Sequence, residues 1–440
     1  MKTISRLLCL SAALLNLSTV KGAEPAPKPS RPNILFILAD DYGIDGVGAY
    51  GSDRFKNKTP NLDALAKTGT RFERCYATPV CGPSRCLFIT GRYGFRTGGL
   101  SNGSVGRPKP TEEPSVAQIL KQSGYVTGMA GKWRQMGGIA GEWGFDDYRM
   151  SDVAASPSEV KSYTENGKKV QTPEGAFYPD VQQAFALEFL RRHRDQPFFF
   201  YYSSHLVHDP ITATPDSKPD ETSKAARYDG YVAYLDKQVG ELVAEIDKLG
   251  LRERTLILFS ADNGTDAGDG PIAGRTQLGR SSLIGGRRLY GGKRDMTEGG
   301  TNVPLIANWK GTTPAGRVLR DLVDFTDLLP TFAELATAPL PPGVKFDGRS
   351  FAPQLRGEKG NPREWVFSQL DVRWFVRNDG WKLNERGEFF DMEDAPFAEE
   401  PVSADTTDAA TVAARKRLQA VLAALNPAAG KTEPAPKKAK

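Results

Sequence analysis

The residues in this chain with the most chemical potential stand at the ends of apolar runs. Cys81 is followed by Gly82-Pro83-Ser84-Arg85. Pro83 fixes its own φ and restricts Gly82 before it, so Cys81 sits on a tight turn from which a helix can start at Ser84. A helix N-terminus favours an anion through its unpaired N–H groups and dipole, and Arg85 and Arg92 add positive charge nearby. Asp40-Asp41 closes the run 33–39, and Asp262-Asn263 follows the run 255–260. Adjacent carboxylates at the end of a buried strand are costly unless paired or bound to a cation. The chain has three histidines, and two of them, His205 and His208, follow the run 197–202.

The elements that must carry these residues are those of an α/β protein. Runs such as 33–39, 197–202 and 255–260 are continuously apolar and of strand length, as expected for strands covered on both faces. The C-terminal ends of such strands are where open α/β sheets bind ligands. Residues 70–77 read as a strand delivering the Cys81 turn, 125–130 as a strand leading into Gly131-Lys132-Trp133-Arg134, and 303–308 as another. Helices are predicted over the segment capped by Thr59, Pro60 and Gly69, and over 116–122, 179–194 and 228–249. Beyond residue 343 the composition turns strand-like. Asn378-Asp379-Gly380 marks a hairpin between 374–376 and 381–383, a strand follows at 388–392, and 409–425 closes as a helix. The Gly-rich segment 264–292 reads as a long loop over the pocket, and its Arg275, Arg280, Arg287 and Arg288 read either as an exposed loop surface or as contacts for an anionic substrate.

Cys81-x-Pro83-Ser84-Arg85 with Thr90-Gly91-Arg92 resembles the signature of the type I, formylglycine-dependent sulfatases of the alkaline phosphatase superfamily. The resemblance extends from about Asn33 to Asp394 and includes the helix at Thr59–Gly69, Gly291-Gly292-Lys293, Asp324 to Thr331 and Phe346 to Phe351. It implies a large mixed, mostly parallel sheet sandwiched by helices, with a small C-terminal antiparallel-sheet subdomain. It also implies that Cys81 is oxidised by a formylglycine-generating enzyme. The hydrated aldehyde has two hydroxyls: one attacks sulfur and releases the alcohol, and the other then expels sulfate. Asp40, Asp41, Asp262 and Asn263, with formylglycine at 81, match the family's calcium site, and an all-oxygen set suits calcium, or magnesium in its place, rather than zinc. By the same likeness Arg85, Lys132 and Lys293 balance oxygen charge around sulfate, unless Arg85 instead orients the hydrate, and His208, in a His-x-x-His-x-Pro pattern, protonates the leaving alcohol. His205 supports the site or the substrate. Arg134 replaces the family's histidine; it stays protonated, so it can hold a sulfate oxygen but cannot remove a proton.

At 440 residues and a net charge of +5, part of it in Lys437, Lys438 and Lys440, the chain gives no support for nucleic-acid binding. Residues 1–23 read as a secretory signal, with Lys2 and Arg6 ahead of an apolar run too short to span a membrane. Residues 24–31 form a Pro-rich lead-in, 32–342 a catalytic domain, 343–425 the C-terminal subdomain and 426–440 a disordered basic tail. The expectation is an exported, periplasmic or secreted enzyme without stable membrane insertion, acting on a sulfated small molecule or carbohydrate. Cys75 and Cys86 would remain after modification of Cys81, either paired or as buried thiols. Two other readings fit the same motifs: a phosphodiesterase or phosphonate monoester hydrolase of the superfamily, or a weakened sulfated-glycan-binding protein, the latter motivated by Arg134.

Overall fold

The computed structural model describes residues 31–104, 106–133, 136–151, 160–266 and 279–431. The expected signal sequence, Arg134, Arg275 and the end of the tail lie outside them. In chain order the strands are β1 (Asn33–Ala39), β2 (Thr70–Tyr76), β3 (Val126–Lys132), β4 (Asp147–Ser151), β5 (Ser162–Glu165), β6 (Lys168–Gln171), β7 (Phe198–Ser203), β8 (Thr255–Ala261), β9 (Leu283–Ile284), β10 (Arg287–Arg288), β11 (Asn302–Asn308), β12 (Arg317–Leu319), β13 (Val323–Asp324), β14 (Val366–Leu370), β15 (Arg373–Arg377), β16 (Trp381–Asn384), β17 (Phe389–Asp391) and β18 (Glu400–Val402).

The large sheet runs β12-β2-β11-β8-β1-β7-β3-β4-β5-β6, with β13 also paired to β2. Its centre, β8-β1-β7-β3-β4, is parallel, whereas β11 runs antiparallel to both β8 and β2. All seven residues of β1 and of β8 are buried, as their unbroken apolar runs require of strands covered on both faces. Register does the rest. Ala39 lies opposite Ala261, Leu38 opposite Ser203, and Ser203 opposite Gly131. Four adjacent strands therefore end level, and whatever follows each of them is delivered to one place.

The helix Cys81–Thr90 is buried along its whole length. Phe88 packs 4.7 Å from Phe36 of β1 and 5.0 Å from Tyr201 of β7, ring centre to ring centre, which fixes the helix against the sheet. The helix starts three residues before the predicted Ser84. Val80 is the N-cap, and Pro83 falls within the first turn, where its missing N–H costs nothing.

The second sheet, β14-β15-β16-β17-β18, is antiparallel, and the helix Ala409–Leu425 covers it through Ala414 and Leu418 against Val376, Leu383 and Phe389. Phe351 and Leu355 pack instead into the main core. Residues 426–431 correct the expectation of a disordered tail: Pro427–Ala429 form a buttressed turn, and the Lys431 N–H donates to the Phe95 carbonyl at 2.7 Å. The expected loop 264–292 contains a two-stranded ribbon of β9 and β10. No helix among the described residues is long and apolar enough to cross a membrane.

The two sheets are joined by a buried charge pair. Arg377 of β15 donates to Glu298 and, at 2.7 Å, to the hydroxyl of Tyr76, which itself donates to Glu298. Substituting Arg377→Met leaves Glu298 buried without its partner and should cost about 3–5 kcal/mol in urea unfolding. Combining Arg377→Met with Glu298→Leu should recover most of that loss, and an unchanged midpoint in the single variant would show that the pair does not join the sheets.

Candidate active site

The level strand ends bring together residues 40–41, 132, 203–208 and 262–263. Asp40 and Asp41 leave β1, Asp262 and Asn263 leave β8, and Lys132 ends β3. Gly131 makes the last of these geometries feasible. It has φ of +110°, and a Cβ there would lie 1.8 Å from the Ser203 carbonyl oxygen. Asp41 is itself in the left-handed region, with φ of +60°, and its N–H donates to Asp262 Oδ1 at 3.1 Å. Cys81 opens its helix beside these strand ends, and the segment leading into it is held by Ser84 Oγ, which accepts from the Thr78 N–H at 2.9 Å.

The cations stand among these carboxylates. Lys132 Nζ donates to Asp40 and lies 3.6 Å from Cys81 Sγ, and Lys293 Nζ donates to Asp41. Arg85 grips Asp262 Oδ2 through Nε and Nη2 at 3.0 and 2.6 Å, reaches 3.6 Å from Asp40, and donates to Tyr201 and Ser203. Its guanidinium is thus engaged with carboxylates and is 2% exposed.

Charge state follows from burial and pairing. Burial alone would raise Asp40, but Lys132, His208, Arg85 and Lys293 outweigh it and hold the carboxyl well below its usual range. Asp41 is lowered in the same way, with Lys293 the main opponent of its burial. Asp262 goes the other way: burial and the charge of Asp40 raise it against the pull of Arg85. Burial also pushes the Cys81 thiol up, ahead of the opposing effect of Lys132, so a thiol at this position stays protonated near neutrality and is a weak nucleophile.

The arrangement fits a hard cation. Asp40 Oδ1 and Asn263 Oδ1 are buried without hydrogen-bond partners, which is expensive unless something else takes their lone pairs. Ligand atoms of Asp40, Cys81 and Asp262 lie within 4.8 Å of one another, as do those of Asp40, Asp41 and His208. Asn263 is positioned by its own Nδ2, which donates to Asp41 Oδ1 at 3.0 Å.

The two histidines differ. His208 Nε2 lies 3.8 Å from Asp41 Oδ2 on a side chain 25% exposed, at the mouth of the site. His205 lies inward, where of its two expected roles the geometry suits support of the site rather than contact with substrate. It is buried, with Nδ1 3.3 Å from Gln182 Oε1, its ring edge-on to Tyr178, and Nε2 sealed from solvent. Cys75 and Cys86 are both buried and unpaired, which decides between the two readings of these cysteines.

Two further residues join the site. Asn102 Oδ1 accepts from the Gly82 N–H at 2.8 Å and lies 3.5 Å from Cys81 Sγ, so the helix N–H expected to meet an anion is already engaged. Asp266 lies 3.8 Å from Lys293 and pairs with Arg294 at 3.0 Å. Asp266 follows Asp262-Asn263 by a few residues and could have been suspected; Asn102 reaches the site only through tertiary packing.

Comparison with known proteins places this sheet, with its carboxylate cluster and helix-borne Cys81, in the alkaline phosphatase superfamily. A family profile described as Sulfatase matches residues 32–338. The chain is 34% identical to human arylsulfatase A over 372 residues, which is 76% of this chain and 70% of that protein. It is 33% identical to the N-acetylgalactosamine-6-sulfatase of the dog, covering 86% and 74% respectively. Among solved structures it resembles Ps i-CgsB with a TM-score of 0.75 and 27% identity, covering 89% of this chain and 92% of that one. The chain belongs to the sulfatase family and is a sulfuric ester hydrolase.

The buried His205 has a consequence for stability. Burial, with the positive charges of Lys132, Arg85 and His208 behind it, pushes its pKa down to about 3 from 6.5. Between those values the unfolded chain binds a proton that the folded chain refuses, so stability falls as pH drops below 6.5. His205→Gln should remove a slope of about 1.4 kcal/mol per pH unit, measured by urea unfolding between about pH 6.5 and 5. Parallel wild-type and variant profiles would contradict this.

Proposed function

We propose that the protein hydrolyses sulfate esters of a carbohydrate, using formylglycine formed from Cys81 and one bound calcium ion. The observation that carries the reading is the pair of orphaned buried oxygens, Asp40 Oδ1 and Asn263 Oδ1, beside a thiol that burial keeps protonated. Both anomalies are resolved by the family's chemistry. Hydrated formylglycine supplies two hydroxyls where Cys81 Sγ now lies, one to attack sulfur and one to expel sulfate. Asp40, Asp41, Asp262, Asn263 and the modified residue 81 would hold calcium, which would supply positive charge for sulfate oxygens and for the ionised nucleophile.

The protein's own charges support this division of labour. With all three carboxylates ionised, as a bound cation would keep them, Asp40, Asp41 and Asp262 offset the charges of Arg85, Lys132 and Lys293. A divalent cation makes the site positive by two, which matches a sulfate monoester together with an ionised nucleophile. Lys132, beside position 81, and Lys293, beside Asp41, hold oxygen charge as it develops. His208 at the mouth donates a proton to the departing alcohol. Arg134, outside the described residues, is assigned a sulfate oxygen as ligand.

A carbohydrate substrate is supported by two relatives: one is named N-acetylgalactosamine-6-sulfatase, and the structural neighbour Ps i-CgsB was crystallised with k-i-k-neocarrahexaose. The leader-like residues 1–23 support export, with modification by a formylglycine-generating enzyme during maturation.

Mass spectrometry of the peptide spanning Cys81, from cells that contain a formylglycine-generating enzyme, should find the thiol replaced by an aldehyde. That protein should release sulfate from 4-nitrophenyl sulfate and from sulfated oligosaccharides. Lys293→Met should lower kcat by about 10²–10³, and Cys81→Ala should abolish turnover. An unmodified thiol in protein that still turns over would overturn the assignment of the nucleophile.

A further inference from the structure

We propose that Arg280 is a positioning residue for His208, acting through Asp209; the inference rests on His208 as the proton donor to the leaving group. One reading of the sequence has Arg280, in an Arg-rich segment, meeting substrate. The structure turns it inward. Its side chain is 7% exposed, its guanidinium pairs with the Asp209 carboxylate, and it lies 5.9 Å over the ring of Tyr228. A buried guanidinium already engaged this way is poorly placed to bind a sulfate arriving from solvent.

The pairing bears on His208 through the main chain. His208 Nδ1 lies 2.5 Å from the carbonyl oxygen of Asp209. A carbonyl can only accept, so Nδ1 carries the hydrogen of that bond. Nε2, facing Asp41 at 3.8 Å, is therefore the nitrogen left to exchange a proton with the site. The orientation of the imidazole depends on where the Asp209 peptide sits, and Arg280 fixes the side chain of that same residue.

Arg280 is itself held from the main body. The Ser282 N–H donates to Asp45 Oδ2 at 2.9 Å, Ser282 Oγ meets Ser52 Oγ at 3.0 Å, and Arg54 reaches the Gly279 carbonyl. An anchored segment thus reaches across to the turn that carries the proton donor. Losing the ion pair should release the Asp209 carbonyl and let the imidazole swing, with little effect on the cluster around Asp40.

The readout is the dependence of rate on the leaving group. A proton donor matters most when the departing oxygen is basic, and substituted phenyl sulfates from 4-nitrophenyl to 4-methoxyphenyl span leaving-group pKa values of about 7 to 10. Arg280→Gln should steepen that dependence, losing about tenfold more kcat with 4-methoxyphenyl than with 4-nitrophenyl sulfate, with KM nearly unchanged. Asp209→Asn should do the same, the double variant should be no worse than either single one, and Arg280→Lys should recover most of the rate. Thermal melts identify any variant that fails to fold, and Asp209→Asn and Arg280→Lys then carry the test.

An equal loss across the series, or a rise in KM alone, would overturn the inference in favour of a structural or substrate-binding role for Arg280. His208→Gln separates this from the wider reading. If it steepens the dependence and Arg280→Gln does not, only the positioning role fails. If His208→Gln leaves the dependence unchanged, the proton-donor role fails and the inference falls with it.

Discussion

Three carboxylates buried within reach of one another repel, and each also loses its hydration; nearly every feature of the site answers that cost. Asp40, Asp41 and Asp262 are each matched by a cation delivered from a different element: Lys132 from the end of β3, Lys293 from the turn before Glu298, and Arg85 from the helix Cys81–Thr90. The strands must be parallel and level for the carboxylates to meet, and the helix must be buried for Arg85 to reach Asp262. The energetic problem at the site therefore dictates much of the architecture around it.

The same constraint separates two kinds of residue that look alike in a list. Lys132, Lys293 and His208 keep an atom toward the space beside Cys81 or at its mouth. Arg85, Tyr201, Ser203 and Asn102 hold other groups still. Arg280 joins the second kind from further out, through the peptide next to His208. The site is thus bounded by residues that act and by a larger shell that fixes where those atoms stand.

Much of this was legible in the sequence because the signals are local. Unbroken apolar runs marked β1, β7 and β8, and the polar residues immediately after them marked the site. The hairpin at Asn378-Asp379-Gly380 and the closing helix Ala409–Leu425 followed from turn chemistry and periodicity. What escaped depends on tertiary contact. The antiparallel insertion of β11 beside β8, the inward turn of Arg280, the burial of His205 and the reach of Asn102 to Gly82 leave no pattern in neighbouring residues. The helix begins at Cys81 and not at Ser84 because its first turn accepts Pro83 as readily as the position before the helix does.

The central claim is that the carboxylate cluster is a cation site and not a self-sufficient set of ion pairs. Calorimetric titration of chelator-treated protein with calcium tests it most directly. One calcium per chain should bind, with a melting temperature that rises as calcium is added, and Asp40→Asn should abolish both effects. Failure to bind calcium or magnesium, with an unchanged melting temperature, would mean that Lys132, Lys293 and Arg85 alone satisfy the buried carboxylates, and the account of the site would be wrong.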